Sequence, residues 1–288
     1  MVMENKRMAR RLILRYLCVF IMLGCITPVW AAQWELVFSD EFDCNGLPDP
    51  NKWDYETGFI RNNESQYYTK TRKENARIEN GMLIIEAVKE HFPNPAYDPN
   101  SPRISRRTPQ FAEYTSASLV TLGKQSFLYS RIEVRAKLPT GKGAWPAIWM
   151  LGTNMRQVGW PACGEIDIME NVGFDPNMIH ANIHTQLYNH TRGTGKGNSI
   201  EVDKPYETFH IYAIEWFEDH IDFFVDDNKY FTFKNEGTGN ATWPYDKEHY
   251  LILNLAIGGE WGAQHGIDDS IFPQKYYVDY VRAYKQKD

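Results

Sequence analysis

Hydrophobic and polar residues alternate along much of the chain with a period of two. From Ser130 to Leu138, apolar residues at even positions alternate with arginine, glutamate and lysine. This spacing is typical of a β-strand that has one face in a core and the other towards solvent. The same pattern predicts further strands at 180–187, 209–216, 221–225, 250–257 and 276–284.

Turn-forming residues separate these segments, and long helical periodicity is absent. The clearest turns are Glu79-Asn80-Gly81, Asp226-Asp227-Asn228 and Gly258-Gly259. The longest irregular segment, Phe92 to Gln110, is rich in Pro, Asn and Arg, and we expect a surface loop there. The pattern predicts an all-β fold with two antiparallel sheets packed face to face and a concave face suited to a chain-like ligand.

The N-terminus has the features of an export signal. Five basic residues precede an apolar run at 16–26, and Val29-Trp30-Ala31 offers a cleavage site, so we predict a signal peptide at 1–31. The run is short for a membrane span. The alternative is a lipoprotein acylated at Cys25. We expect residues 32–288 to form a single domain that is secreted or periplasmic.

Composition narrows the range of partners. Without residues 1–31 the chain has 26 lysines and arginines against 36 aspartates and glutamates, a net charge of −10. This charge argues against nucleic acid or an anionic membrane as partner and favours a neutral substrate. Two cysteines are left, Cys44 and Cys163, too few for a disulfide framework, and we expect two buried free thiols.

Three carboxylates lie within six residues of an otherwise apolar strand, at Glu165, Asp167 and Glu170. Burying unpaired carboxylates is costly, so this cluster calls for a function. Glu165 and Asp167 share a strand face, whereas Glu170 would face away unless a β-bulge at Met169 turned it back. Two glutamates on one face suit nucleophilic and acid/base work on a glycosidic bond. The alternative is a solvated edge strand.

Aromatic residues surround these acids in sequence, and they make up 14% of the chain. Trp145 and Trp149 are four apart, Trp160 lies five residues before Glu165, and Trp261 follows the Gly258-Gly259 turn. Aromatic rings stack on the apolar faces of sugars. Each tryptophan alone is more typical of a core, but the set predicts a sugar-binding cleft.

Two histidines raise the question of a metal. His180 and His184 would share a face of one strand, and a metal-dependent hydrolase would need a third ligand and an open coordination position. The sequence offers no compact cluster that supplies them. We therefore expect His184 to be a hydrogen-bonding neighbour of the acids, with a structural histidine as the alternative.

The run from Trp160 to Glu170 resembles the signature of glycoside hydrolase family 16, above all its laminarinase-like endo-β-1,3-glucanases. The resemblance extends over nearly all of the chain after residue 31. Its other segments are Asp40–Phe42, Asn62–Thr69, Tyr114–Ala117, Gly143–Trp149, Asn254–Gly259 and Tyr277–Arg282.

The resemblance implies a β-jelly-roll sandwich with a catalytic cleft on its concave face and a retaining mechanism without a catalytic cofactor. By position, Glu165 matches the nucleophile, Glu170 the acid/base and Asp167 the assisting carboxylate. The residues that match cleft positions are Asn63, Trp145, Trp149, His184 and Trp261. The residues that match a structural calcium site are Glu41, Gly81 and Asp279, with backbone oxygens contributing.

The resemblance also guides the choice of substrate. The extra residue Met169 points to the laminarinase, agarase and carrageenase side of the family, and Asn62–Glu64 followed by Gln66–Tyr68 favours laminarinases. We predict a monomeric endo-hydrolase of β-1,3-glucan (laminarin), which extends to mixed β-1,3/1,4-glucan. The alternatives are a hydrolase of agarose or another polysaccharide, and a non-catalytic β-glucan-binding protein, which would have no use for the three acids.

Overall fold

The computed structural model describes residues 34–100 and 109–287, and its regular elements are mostly strands. Two single-turn helices are present, α1 (Met155–Val158) and α2 (Gly259–Gly262), with 3₁₀ turns at His190–Arg192 and Asp269–Ile271. The strands are β1 (Trp34–Asp40), β2 (Asp54–Tyr55), β3 (Gln66–Tyr68), β4 (Ala76–Glu79), β5 (Met82–Pro93), β6 (Phe111–Ser116), β7 (Ser118–Val120), β8 (Ser130–Lys137), β9 (Ala144–Gly152), β10 (Glu165–Val172), β11 (Asp175–His184), β12 (Lys196–Glu201), β13 (His210–Trp216), β14 (His220–Val225), β15 (Asn228–Lys234), β16 (His249–Ile257) and β17 (Gln274–Gln286).

The strands form two sheets. The first has the order β15-β14-β13-β8-β17-β5-β6-β3, with β1 paired to β17 and β4 to β5, and the second has the order β12-β11-β10-β9-β16-β7-β2. The pairing of β3 with β6 is parallel, and the other pairings between these strands are antiparallel. The predicted all-β fold of two sheets is confirmed.

One continuous core lies between the sheets. The alternation predicted for β8 holds, because Ile132 and Val134 are fully buried and the charged residues between them are not. They share an apolar cluster with Ile148 and Met150 of the second sheet. The inner face of the second sheet therefore packs against the first sheet, and its outer face carries the acids.

The predicted bulge is present in β10. Six residues of β10, from Glu165 to Glu170, oppose five of β11, because Glu165 pairs with His184 and Glu170 with His180. Against β9 the register shifts between Asp167 and Met169, so the extra residue is Ile168, one position before the one predicted. Two successive side chains, Ile168 and Met169, enter the core, and Glu170 returns to the face of Glu165.

Three details differ from the sequence-based expectations. Strand β11 ends at His184 rather than at 187, and β5 continues to Pro93, so part of the expected surface loop is strand. Residues 101–108 of that loop lie outside the described residues. Both cysteines are free, but Cys44 is exposed, because the turn after β1 leaves it at the surface.

The predicted signal peptide, its cleavage after Ala31 and the alternative lipid site at Cys25 lie outside the described residues. The strands from β1 to β17 belong to one compact unit. Among the described residues no helix is long and apolar enough to cross a bilayer.

Deleting Met169 tests the bulge. The deletion would remove the bulge, so that Ile168 alone enters the core and Glu170 stays on the face of Glu165 by regular alternation. We expect a soluble, folded variant that loses the packing of one buried methionine, about 2–5 kcal/mol, which is about 4–20 °C in melting temperature for a chain of this size. Met169→Leu keeps the volume and should cost less than about 1.5 kcal/mol. A deletion variant that is insoluble would contradict the bulge, because in a strand without a bulge the deletion would turn Glu170 and the residues after it to the opposite face.

Candidate active site

A cavity of about 450 Å³ opens on the outer face of the second sheet, over β9, β10 and β16. It contains the three acids of β10 together with three tryptophans. The lining residues are Glu56, Ile60, Arg61, Asn62, Asn63, Glu64, Trp145, Ala147, Trp149, Leu151, Met155, Trp160, Glu165, Asp167, Glu170, His190, Thr191, Tyr250, Asn254, Ala256 and Glu260.

Glu165 lies at the start of β10, and both of its oxygens have neighbours. Trp160 donates its indole N–H to Oε2 at 2.9 Å, and Nε2 of His184 lies 3.5 Å from Oε1. Gly164 precedes it with a φ of +83°, and a Cβ there would come within 2.9 Å of Nε2 of His249. Glycine is therefore needed for the chain to enter β10 at this point.

Asp167 is the most enclosed of the three acids, with 3% of its surface exposed. Its Oδ2 lies 3.3 Å from Nε2 of His184, which places that histidine between Asp167 and Glu165. Oδ2 is buried and accepts no hydrogen bond from the described residues. His184 is thus a neighbour of two acids, although its ring makes no hydrogen bond to either of them in the described residues.

Glu170 accepts two hydrogen bonds, one on each oxygen. Trp145 donates from its indole N–H to Oε1 at 3.1 Å, and Asn182 donates from its side-chain amide to Oε2 at 2.9 Å. Trp145 comes from β9 and Asn182 from β11, the two strands that flank β10. The side chain of Glu170 is therefore held from both sides.

Burial and mutual repulsion shift the titration of all three acids. Burial, and after it the charge of Asp167, raise the pKa of Glu165 to about 8. Burial, and after it the charge of Glu170, raise the pKa of Asp167 well above its usual range. Burial raises the pKa of Glu170, while His184 and the donors Asn182 and Trp145 oppose the rise. Three carboxylates this close cannot all be ionised, so the site holds protons at neutral pH.

The distribution of those protons follows from the contacts. A proton on Asp167, the most buried acid, removes the charge that is the second cause of the raised pKa of Glu165. The remaining neighbours of Glu165, the N–H of Trp160 and the imidazole of His184, favour its carboxylate. The contacts of Glu165 therefore favour its carboxylate, and burial favours a proton on Glu170.

The structure brings most of the predicted cleft residues together. Trp149 lines the cavity with its indole N–H bonded to Asn254 at 2.7 Å, and Asn63 donates to Glu260 at 2.8 Å. His184 and Trp261 do not line the cavity. His184 lies against Glu165 and Asp167, and Trp261 lies in α2 and packs edge-on against Trp145, with ring centroids 5.7 Å apart.

Several residues of the site were not predicted. Arg61 pairs with Glu56 and places its guanidinium 4.8 Å from the ring of Trp149. His190 comes from the segment between β11 and β12 and lies 5.3 Å from the ring of Trp160. Only Asn182 had a signal in the sequence, because the alternation of β11 puts it on the face of His184. The other three come from loops, which carry no periodic pattern.

A second hollow of about 700 Å³ lies around Phe127, Tyr129 and Phe217. It shares no lining residue with the cavity over β10 and contains none of its acids. The buried and perturbed carboxylates decide between the two hollows, because such groups mark sites of chemistry. The candidate active site is the cavity on the second sheet.

The predicted calcium ligands Glu41, Gly81 and Asp279 lie on or beside the strands of the other sheet. Beside β17, the paired stretch of β5 stops at Val278 and that of β1 begins at Val281. Gly81 and Glu41 adjoin these strand ends, and Asp279 lies at a bulge between them. Both oxygens of Glu41 accept from Arg282, and Oδ2 of Asp279 accepts from Arg135. Backbone oxygens and Oδ1 of Asp279 remain as donors, which fits calcium.

The family model for glycosyl hydrolases family 16 matches residues 63–282. The chain belongs to this family. It is therefore a glycoside hydrolase, and the family acts with retention of configuration and needs no catalytic cofactor.

Similar proteins extend over almost all of the chain. A β-glucanase from Rhodothermus marinus is 47% identical, over 98% of this chain and 97% of that protein. The X-ray structure of the laminarinase from Rhodothermus marinus has a TM-score of 0.80 at 48% identity, over 89% of this chain and 99% of that one. SCLam, a non-specific endo-β-1,3(4)-glucanase, has a TM-score of 0.79 at 45% identity, over 89% and 94%. The jelly-roll fold is thereby confirmed.

Replacing Asn182 with Ala tests the control of Glu170. The amide of Asn182 lowers the pKa of Glu170, so its loss should raise that pKa further. An acid catalyst is active while protonated, and its activity falls as pH rises through its pKa. We expect the alkaline limb of kcat/KM on laminarin to move to higher pH.

Asn198→Ala is the control for this change. Asn198 lies on the neighbouring strand β12, and its amide donates to the backbone of Tyr230 rather than to an acid. Its pH profile should match the wild type. An alkaline limb that stays in place in Asn182→Ala would show that the amide does not control Glu170.

Proposed function

We propose that this protein is an endo-acting, retaining hydrolase of β-1,3-glucan, with laminarin as its substrate and tolerance of mixed β-1,3/1,4-glucan. The observation that carries the proposal is the set of three buried acids on a bulged strand, in a cavity walled by tryptophans. Laminarinases and endo-1,3(4)-β-glucanases among the similar proteins support the choice of substrate.

The charge of the cavity also supports a neutral polysaccharide. Six carboxyl side chains and one guanidinium, that of Arg61, line it. Arg61 is already paired with Glu56, so the described residues of the lining offer no unpaired lysine or arginine to a sulfate or carboxylate on the substrate. Anionic polysaccharides would be repelled, which disfavours carrageenan. Agarose, which is neutral, remains the alternative.

The first half of the reaction uses both glutamates. A carboxylate oxygen of Glu165 attacks the anomeric carbon as the bond to the leaving sugar's oxygen breaks. Glu170 gives its proton to that oxygen, and a glycosyl-enzyme forms. Trp160 and His184 hold the attacking carboxylate in place, and Asn182 and Trp145 hold the acid.

The second half reverses the role of Glu170. Its carboxylate, now without a proton, takes one from a water whose oxygen attacks the anomeric carbon and releases Glu165. Asp167 lies between the two glutamates in sequence and faces His184. A proton on Asp167 keeps negative charge away from Glu165 before the attack.

Glu170→Ala tests the assignment of the acid/base. Loss of a positioned acid/base costs roughly 10²–10⁴-fold in rate. We expect a fall of this size in reducing ends released from laminarin. Azide, which needs no base, should partly restore the cleavage of aryl glucosides with good leaving groups.

Controls separate this outcome from its alternatives. Glu113→Ala, an exposed residue of β6, should leave the rate unchanged. A wild type that binds laminarin without releasing reducing ends would support the non-catalytic alternative.

Two further measurements test the substrate and the nucleophile. Faster hydrolysis of agarose than of laminarin in a substrate panel would overturn the assignment of β-1,3-glucan as substrate. Products of inverted configuration by NMR would exclude Glu165 as nucleophile.

We also propose export, a monomeric state and a structural calcium at Glu41, Gly81 and Asp279. A cation held there would tie the ends of β1 and β5 to β17. A ligand at about a hundred times its Kd adds about 2.7 kcal/mol to the stability of the folded state. For a chain of this size that corresponds to about 5–10 °C in melting temperature.

The melting temperature tests the proposed calcium site. We expect millimolar Ca²⁺ to raise the melting temperature of EDTA-treated protein by that amount, and Asp279→Asn to lose most of the response. Asp227→Asn, in an exposed turn, should respond like the wild type. Identical melting with EDTA and with Ca²⁺ would rule the site out.

A further inference from the structure

A nitrogen and two oxygens of the active site are arranged as metal ligands. Among residues 34–100 and 109–287, Glu165, Asp167 and His184 form the one group of three such side chains whose ligand atoms all lie within 4.8 Å of one another. We propose that this trio binds Zn²⁺ and that the ion inhibits the enzyme by competing with the sugar chain.

The distances fit a tetrahedral ion. Zn²⁺ binds nitrogen and oxygen ligands at about 2.0–2.2 Å, so neighbouring ligands around it are about 3.3–3.6 Å apart. Nε2 of His184 lies 3.3 Å from Oδ2 of Asp167 and 3.5 Å from Oε1 of Glu165. Both separations match an edge of that tetrahedron. Two of the three edges are therefore in place, and the ligand atoms of the third pair lie within 4.8 Å of each other.

Two of the ligand atoms have room for a new partner. Oδ2 of Asp167 is buried and accepts no hydrogen bond from the described residues, although Asp167 is 97% buried. Oε1 of Glu165 accepts no hydrogen bond from the described residues and lies 3.5 Å from Nε2 of His184, whereas Trp160 donates to the other oxygen. A metal would satisfy both oxygens, and such pairing lowers the cost of burying them.

The ion would come from the cavity. Glu165 and Asp167 both line it, whereas His184 stands behind them with 8% of its surface exposed. Three protein ligands leave a fourth position of the tetrahedron for a water on the cavity side. That position lies where the sugar must approach Glu165, so ion and substrate exclude each other.

The trio selects between cations. An imidazole nitrogen with two carboxylate oxygens suits Zn²⁺, whereas Ca²⁺ requires six to eight oxygens. The calcium proposed at Glu41, Gly81 and Asp279 therefore belongs to a different site on the other sheet. The two ions should act independently: Zn²⁺ should lower the activity, and Ca²⁺ should raise the melting temperature.

Calorimetric titration of the EDTA-treated full chain with ZnCl₂ tests the binding. We expect one site whose Kd rises at least roughly tenfold in His184→Ala, since even the indirect partners of a metal ligand act on this scale. Glu165→Gln keeps the shape of the side chain and should weaken binding as well. His210→Ala is the control, because His210 pairs with Asp226 on the first sheet.

Kinetics test the competition, which rests on the proposed function, whereas the titration does not. Zn²⁺ should raise the apparent KM for laminarin and leave kcat unchanged, and Ca²⁺ should do neither. Wild-type affinity for Zn²⁺ in both His184→Ala and Glu165→Gln would overturn the site. Inhibition that lowers kcat at constant KM would overturn the competition.

Discussion

The chemistry of this protein depends on one extra residue in β10. Because β10 has six residues where β11 has five, Glu165 and Glu170 share a face, which a regular pleat at this spacing would not allow. The two side chains displaced by the bulge, Ile168 and Met169, are both buried in the main core. The free energy of packing that core is what keeps two acids opposite each other in the cleft.

The residues around the three acids differ from one acid to the next. Glu165 faces an imidazole and an indole N–H, Glu170 faces an amide and another indole N–H, and Asp167 has one oxygen without a donor. Asp167 is the most buried of the three, whereas Glu165 and Glu170 are both partly buried, so contacts rather than burial distinguish the two glutamates. The difference between nucleophile and acid thus comes from donors on β9, β11 and the segment before β10.

The sequence predicted the sheets and the acids because both follow a simple period. Alternation identified the core face of β8, and the odd spacing of Glu170 required the bulge. Loops follow no period, so the ion pair of Arg61 with Glu56 and the approach of His190 to Trp160 could not be read from the chain. Those contacts depend on tertiary packing across the cleft.

Trp145 and Trp160 each have two functions in the cleft. The indole of Trp160 holds Glu165 and that of Trp145 holds Glu170, while both rings form walls of the cavity. Any exchange of these rings that widened the groove would also disturb proton transfer. Divergence towards new polysaccharides should therefore proceed through the loop segments 56–64 and 185–195, which shape the groove without donating to Glu165, Asp167 or Glu170, and leave the indoles unchanged.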